Sequence, residues 1–168
     1  MNNFLLTPHF ELKEFTENAT AREHRIDNEP SFDAIENLKA LCVFTLEPLR
    51  EALGLPIIIT NGYRCKELND LLASHSTKSM HMEGQAADFY VRWNGPKEDI
   101  PLRRELLITA FRLIITNGNI NFDNCIIYPS YIHVSYVRSG RDNCRMLSCG
   151  FSDGTYAGLN YDQAIALV

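Results

Sequence analysis

Residues 79–88, which read SMHMEGQAAD, combine residue types that can bind a metal ion. His81 lies near the start of this segment and Asp88 lies at its end. Gly84 and the small alanines after it let the backbone pass close to a neighbouring group, as sites around bound ions often require. Asp88 falls within an otherwise apolar predicted strand, where a carboxylate is costly unless it is paired or bound to a metal. The segment therefore predicts that Asp88 is a ligand or a partner of a basic group.

A second imidazole occurs in residues 131–136, which read YIHVSY. Alternation along a strand places His133 on one face with Tyr131 and Ser135, and the aliphatic residues on the other face. Two histidines and one aspartate leave a fourth position on a zinc ion free for water, which is the coordination of a catalytic site rather than a structural one. Spacing alone leaves an alternative equally open, in which the histidine and the aspartate are hydrogen-bonded without a metal.

Composition limits the classes of function. The 168 residues fit a single domain, 1–168, that is large enough to fold without a metal, so a bound metal would imply a function. The net charge of -5 argues against nucleic acid as a partner. The five cysteines include no CxxC pair, which favours reduced thiols. Nothing in the sequence specifies an oligomeric state.

The start of the chain lacks the basic residues and long apolar run of a secretory signal. No stretch reaches the ~18 to 20 apolar residues needed to span a bilayer. The sequence therefore predicts a protein that is cytoplasmic as synthesised and not stably inserted in a membrane. Release from the cell would require lysis or a dedicated machine.

The elements that position these residues follow from hydrophobic periodicity and from turn residues. Ser31 is a good N-cap for a long helix, Gly54 ends it, and Pro48 should kink it or split it in two. Residues 1–30 look irregular, with Phe10, Leu12 and Phe15 as anchors. Helices are expected over residues 31–53, 66–73 and 101–115, strands over residues 56–60, 85–91, 123–127 and 131–137, a polar loop over residues 74–83, and a last segment over residues 161–168 after short strands and turns.

Two of these elements have a defined buried side. The first strand is β-branched throughout, which predicts a buried strand. The helix over residues 101–115 should point one stripe at the core, formed by Leu102, Leu106, Ala110, Leu113 and Ile114. Together the elements predict an α+β fold in which a small, mainly antiparallel sheet packs against two main helices.

The string SxHxxGxAxD at residues 79–88, followed by a histidine on a later strand, resembles the zinc D-alanyl-D-alanine carboxypeptidase family. This family includes VanY-type enzymes and phage endolysins, and its fold is shared with the hedgehog signalling domain. Further blocks over about residues 7–137 resemble its single-domain, phage- and prophage-associated branch: HFELKEF at 9–15, EPLR at 47–50, ITNGYR at 59–64 and IHVS at 132–135. The resemblance implies a hedgehog/DD-peptidase-like fold and a peptidoglycan stem peptide as the substrate.

The resemblance also implies roles for individual residues. His81, Asp88 and His133 would be the ligands of a zinc ion (Zn2+). Arg64 and Ser79 would hold the carboxylate and the carbonyl of the substrate, and a guanidinium can grip a carboxylate with two hydrogen bonds. The alternative for Arg64 is an ordinary surface salt bridge to a nearby acid, and for Ser79 it is the cap of a turn.

One part of the family pattern is missing. Hydrolysis on zinc needs a general base, and related sequences place a carboxylate shortly before the final histidine. Here no acid lies between Asp123 and His133, and Tyr128 occupies the expected position. Tyrosine, with a pKa near 10, is a poor base at neutral pH. Asp123 could serve only if the fold returned it to the metal; otherwise it should brace a turn.

Three hypotheses follow from these residues. The leading one is a zinc peptidase of the D-Ala-D-Ala carboxypeptidase or L-Ala-D-Glu endopeptidase type. The second is a catalytically inactive zinc-binding module that binds cell-wall peptide or a protein partner, because Tyr128 replaces the expected acid. The third is a domain without metal, in which the histidines and the aspartate are simply hydrogen-bonded.

Overall fold

A computed structural model describes residues 3–72, 76–96 and 99–167 of the protein. Three residues at the ends of expected segments lie outside these ranges: Ala73 of the helix over 66–73, Ser74 of the loop over 74–83, and Val168 of the last segment. The helices are α1 (Leu12–Thr16), α2 (Ala19–His24), α3 (Phe32–Leu41), α4 (Glu47–Leu53), α5 (Lys66–Asp70), α6 (Ile100–Thr116) and α7 (Tyr161–Ala166). The strands are β1 (Leu5–Thr7), β2 (Phe10–Glu11), β3 (Ile57–Asn61), β4 (Ala86–Val91), β5 (Asn124–Ile127), β6 (Ile132–Ser135), β7 (Met146–Gly150) and β8 (Tyr156–Leu159).

The main sheet has six strands in the order β3-β4-β6-β5-β7-β8. Neighbouring strands in this sheet are antiparallel, except that β5 and β7 run parallel to each other. A separate antiparallel pair joins β1 and β2 near the N-terminus. The predicted α+β class is confirmed, and the sheet is larger and more mixed than expected because β7 and β8 extend it. Among the described residues, no helix is both long and apolar enough to cross a bilayer.

The long helix predicted to begin at Ser31 is present and is divided in two. The Ser31 side chain accepts a hydrogen bond from the Ala34 N–H at 3.2 Å, and Gly54 ends α4 with a φ of 63°. Between α3 and α4 the chain forms a π-helical turn, Cys42–Leu46. Pro48 follows in the first turn of α4, where the wider turn before it relieves the clash between a proline ring and the preceding carbonyls.

Two expectations about the N-terminal half were wrong. Most of residues 5–24 form β1, β2, α1 and α2 and are not irregular, whereas residues 26–30 are irregular as expected. Phe10, Leu12 and Phe15 are anchors as expected, each at most 1% exposed. The strand near residue 57 is an edge strand, and only Ile57 is fully buried in it. Short elements of this kind depend on packing against the core, which local sequence patterns do not report.

The buried face of α6 is rotated slightly from the predicted stripe. Ala110 and Ile114 are buried as expected, whereas Leu102, Leu106 and Leu113 are only half-buried. The larger side chain of Phe111 is fully buried instead. The buried residues of the helix are Leu107, Ala110, Phe111, Ile114 and Ile115.

A 3₁₀ turn, Met80–Glu83, packs against α3 and carries the first candidate ligand. Gly84 ends this turn with a φ of 69°, and a Cβ at Gly84 would lie 2.3 Å from the Ala34 carbonyl oxygen. The Asn37 side chain donates to the Glu83 carbonyl at 2.8 Å. Only glycine combines this left-handed conformation with such a close approach, so Gly84 fixes the turn on the helix.

We expect Gly84→Ala to destabilise the protein more than Gly54→Ala, its matched control. Both glycines are left-handed, but a Cβ at Gly54 would meet nothing within 4 Å. Gly54→Ala should therefore lower the free energy of unfolding by only about 1–2 kcal/mol for the backbone conformation. Gly84→Ala adds a clash worth a further ~1–3 kcal/mol. Urea denaturation measures both values, and equal losses would contradict the packing described for the turn.

Candidate metal centre

Three different elements carry the candidate ligands, and two of them are neighbouring strands. Asp88 lies on β4 and His133 on β6, and the antiparallel register pairs the two residues directly. Directly paired residues on neighbouring strands project their side chains to the same face of the sheet. His81, in the 3₁₀ turn just before β4, approaches the same face and is 3% exposed. The sheet therefore fixes two of the ligands, and the turn on α3 fixes the third.

The three side chains converge on one point. The Oδ1 atom of Asp88 lies 2.8 Å from His133 Nδ1 and 3.5 Å from His81 Nε2. One potential ligand atom from each side chain lies within 4.8 Å of the other two. Two ligand atoms bound to one tetrahedral zinc ion stand about 3.3 Å apart, given zinc–ligand bonds of ~2.0–2.1 Å. The spacing therefore fits a small cation bound by all three groups.

The hydrogen bonds around His81 leave its Nε2 atom available to a cation. The Nδ1 atom of His81 lies 2.7 Å from the Gly62 carbonyl oxygen, which can only accept, so Nδ1 carries the proton. An unprotonated Nε2 then faces the Asp88 carboxylate, and two lone pairs meet unless a proton or a cation lies between them. A backbone carbonyl that fixes the tautomer in this way is a common support for a ligand histidine.

One contact of a glycine holds the carbonyl that faces His81 in place, and one hydrogen bond from an asparagine holds the Asp88 carboxylate. A Cβ at Gly62 would lie 2.5 Å from the Phe15 carbonyl oxygen, so a side chain at this position would displace the carbonyl that faces His81. The Asn61 amide donates to the Asp88 Oδ2 atom at 3.3 Å. Oδ2 is therefore engaged by the protein, and Oδ1 is left to face both imidazoles.

Electrostatics favours the protonation states that bind a metal. Burial alone would raise the pKa of Asp88, but the charges and hydrogen bonds of His81 and His133 outweigh it and hold the pKa far below its usual range. Burial lowers the pKa of His81, although Asp88 opposes this effect. An ionised carboxylate and a neutral imidazole are the forms that act as ligands.

Arg64 and Ser79 lie in the same cleft as the three ligands. The cleft has a volume of about 460 Å³. The Arg64 Nη2 atom donates to the Ser79 hydroxyl at 3.0 Å, and the Arg64 Nε atom is buried without a partner in the described part of the chain. Ser79 precedes the 3₁₀ turn, but its side chain does not cap it. Burial lowers the pKa of Arg64, and the charge of Asp88 opposes this effect.

The two candidate catalytic residues have different surroundings. Tyr128 lines the cleft, and its ring stacks on that of Tyr131 with centroids 4.5 Å apart. Burial raises the pKa of Tyr128, which keeps its phenol protonated. Asp123 is fully buried but does not line the cleft.

The Asp123 carboxylate instead braces a turn, which is the alternative role that the sequence suggested for it. It accepts hydrogen bonds from Arg141 at 2.5 and 2.7 Å and from the Cys144 N–H at 2.9 Å. The hydrogen bond from Arg141, which is the largest contribution, lowers the pKa of Asp123. Asp88 is the only carboxylate that lines the cleft within residues 3–72, 76–96 and 99–167.

Three residues of the cleft were not singled out from the sequence. Tyr131 was placed on the same strand face as His133 but given no role, and burial with the nearby charge of Asp88 raises the pKa of Tyr131 to about 12. Tyr156 reaches the cleft from β8, which only the observed strand order brings near the ligands. Asn124 lies on β5, and alternation with Ile126 could have placed it on the cleft face.

Part of this site lies within a match to a known protein family. A family model described as Peptidase M15 matches residues 8–106. The match includes His81, Asp88, Arg64 and Ser79 and ends before His133. The pairing of β4 with β6 brings His133 to the matched residues independently of that match. No curated protein matches the chain.

We expect the purified protein to bind one zinc ion per chain and His81→Ala to lose it, because two of three ligands cannot complete the site. His24→Ala is the matched control: His24 is an exposed histidine at the end of α2, so its removal should leave zinc binding unchanged. Metal analysis by mass spectrometry after dialysis measures both. Full zinc content in His81→Ala would contradict the assignment of this ligand.

Proposed function

The chain belongs to the peptidase M15 family, and from this premise we propose that it hydrolyses peptidoglycan stem peptides with a zinc ion. The family supports a metallopeptidase, and its members are typically zinc-dependent. The proposed bond is that of a D-Ala-D-Ala carboxypeptidase or of an L-Ala-D-Glu endopeptidase. The observation that carries this proposal is the convergence of His81, Asp88 and His133 in one cleft beside the half-buried guanidinium of Arg64.

Five residues of the cleft have a task in this reaction. His81, Asp88 and His133 would hold the ion, which supplies a Lewis acid that polarises a carbonyl and activates water. Arg64 lines the cleft and offers its guanidinium to an acceptor on the substrate. The Ser79 hydroxyl, fixed by its hydrogen bond from Arg64, offers a second polar contact.

The chemistry of Arg64 suits a wall peptide. A stem peptide carries carboxylates, either at its C-terminal D-alanine or on its D-glutamate. A guanidinium binds such a group with charge-assisted hydrogen bonds, which are stronger than neutral ones. Because Arg64 is partly buried and close to the Asp88 charge, a bound carboxylate would be held beside the candidate metal site.

A specific observation also supports a second candidate, the catalytically inactive zinc module that binds cell-wall peptide or a protein partner. Asp88 is the only carboxylate lining the described part of the cleft, and as a ligand it cannot also accept a proton from water. Tyr128 stands where the sequence suggests a base, and its raised pKa makes it a poor proton acceptor. The two candidates share the metal site and differ only in whether the bond is cut.

We expect the zinc-loaded protein to release D-alanine or a shortened muropeptide from peptidoglycan fragments. A chelator and His81→Ala should each abolish this release because both remove the ion, whereas His24→Ala should not. Product analysis by liquid chromatography and mass spectrometry is the measurement. If the zinc-loaded protein leaves every fragment intact, the enzymatic proposal is wrong.

Tyr128→Glu separates the two candidates, with Tyr156→Glu as its matched control from the same cleft. If the wild-type protein already has a working base, neither substitution should raise the rate of hydrolysis. A general base contributes about 10²–10⁴-fold to a rate, so a gain of that size in Tyr128→Glu alone, over a nearly inactive parent, would support the inactive module. Steady-state assays on muropeptides with zinc present measure this difference.

A further inference from the structure

Asn124 is a polar residue of the cleft that the proposed reaction does not yet use. It is the first residue of β5 and lines the same cleft as Arg64 and His133. In the sheet, Ile126 pairs with His133 and Asn124 pairs with Ser135, so Asn124 lies diagonally from His133 on the cleft face. Diagonal neighbours of this kind have Cα atoms about 7–8 Å apart.

The side chain of Asn124 has an unused hydrogen-bonding atom. Its Oδ1 is inaccessible to solvent and accepts no hydrogen bond within the described part of the chain. Buried polar atoms are almost always paired, and one that is not calls for an explanation such as a missing ligand.

Arg64 shows the complementary feature on the other side of the ligands. Its Nε–H is a buried donor without a partner in the described residues. Arg64 follows β3 and Asn124 lies on β5, and the two ligand-bearing strands β4 and β6 run between them. An unused donor and an unused acceptor thus flank the candidate metal site, and a peptide backbone offers both a carbonyl and an N–H.

We propose that the Asn124 amide turns from its solvent-inaccessible position to bind the backbone of the peptide substrate on the β5 side of the metal site, about two residues from the bond that is cut. An extended peptide advances about 3.3–3.4 Å per residue, so the diagonal distance to His133 spans about two residues. Asn124 then selects for substrates that extend past the scissile bond on this side. The assignment rests on the proposed peptidase function.

The test compares Asn124→Leu with Thr7→Val. Both substitutions are close in size to the native residue and remove a buried, unpartnered oxygen, but Thr7 lies on β1 and does not line the cleft. Loss of one substrate hydrogen bond should lower kcat/KM of Asn124→Leu by roughly three- to tenfold, mainly through a higher KM. The melting temperature should stay the same or rise in both variants, because neither removes a hydrogen bond between side chains of the described residues. Thr7→Val should keep the wild-type kcat/KM.

Several results would overturn the proposed role of Asn124. Unchanged kinetics in Asn124→Leu would overturn the proposal. So would a fall in melting temperature in both Asn124→Leu and Asn124→Ala, because it would show that the amide is paired within the fold. If the wild-type protein cuts no fragment, the peptidase function fails separately. Calorimetric titration of the zinc-loaded protein with a stem peptide then tests Asn124, and equal affinities for wild type and Asn124→Leu would reject it.

Discussion

The register between β4 and β6 is the constraint on which the site depends, because it sets the Asp88 carboxylate opposite the His133 imidazole. A shift by one residue would turn Asp88 towards the core and an alanine towards the cleft. A carboxylate in a strand with fully buried neighbours loses hydration, which costs free energy unless other groups contact the charge. Here two imidazoles and the Asn61 amide make those contacts. The same contacts that make the carboxylate tolerable in the fold also prepare it as a ligand.

The third ligand depends on packing far from it in sequence. His81 reaches the sheet only because its turn approaches α3 at Gly84 and because Gly62 approaches α1 at Phe15. The Gly62 carbonyl then fixes the His81 tautomer. The N-terminal elements therefore support the metal site although none of the three ligands lies in them. Loss of packing at either glycine should disturb the ligand geometry as well as stability.

The sequence predicts those parts of the fold that local chemistry decides. Ser31, Pro48 and Gly54 marked the boundaries of the long helix and its division, because caps and breakers act within one turn. The alternation around His133 placed it on the polar face of its strand, although its convergence with Asp88 could only be hypothesised. The short N-terminal elements and the rotated face of α6 were missed because tertiary packing decides them. Asn124 was missed because an unpaired acceptor is a property of the folded surroundings and not of the residue type.

The central claim is that His81, Asp88 and His133 together hold one divalent cation, and anomalous diffraction at the zinc edge tests it most directly. Crystals of the zinc-loaded protein should show a single strong anomalous peak, with one atom of each of the three side chains about 2.0–2.2 Å from it. The metal centre would then lie in the same cleft as Arg64. Ordered side chains at all three positions without a peak between them, or zinc bound only elsewhere, would contradict the account.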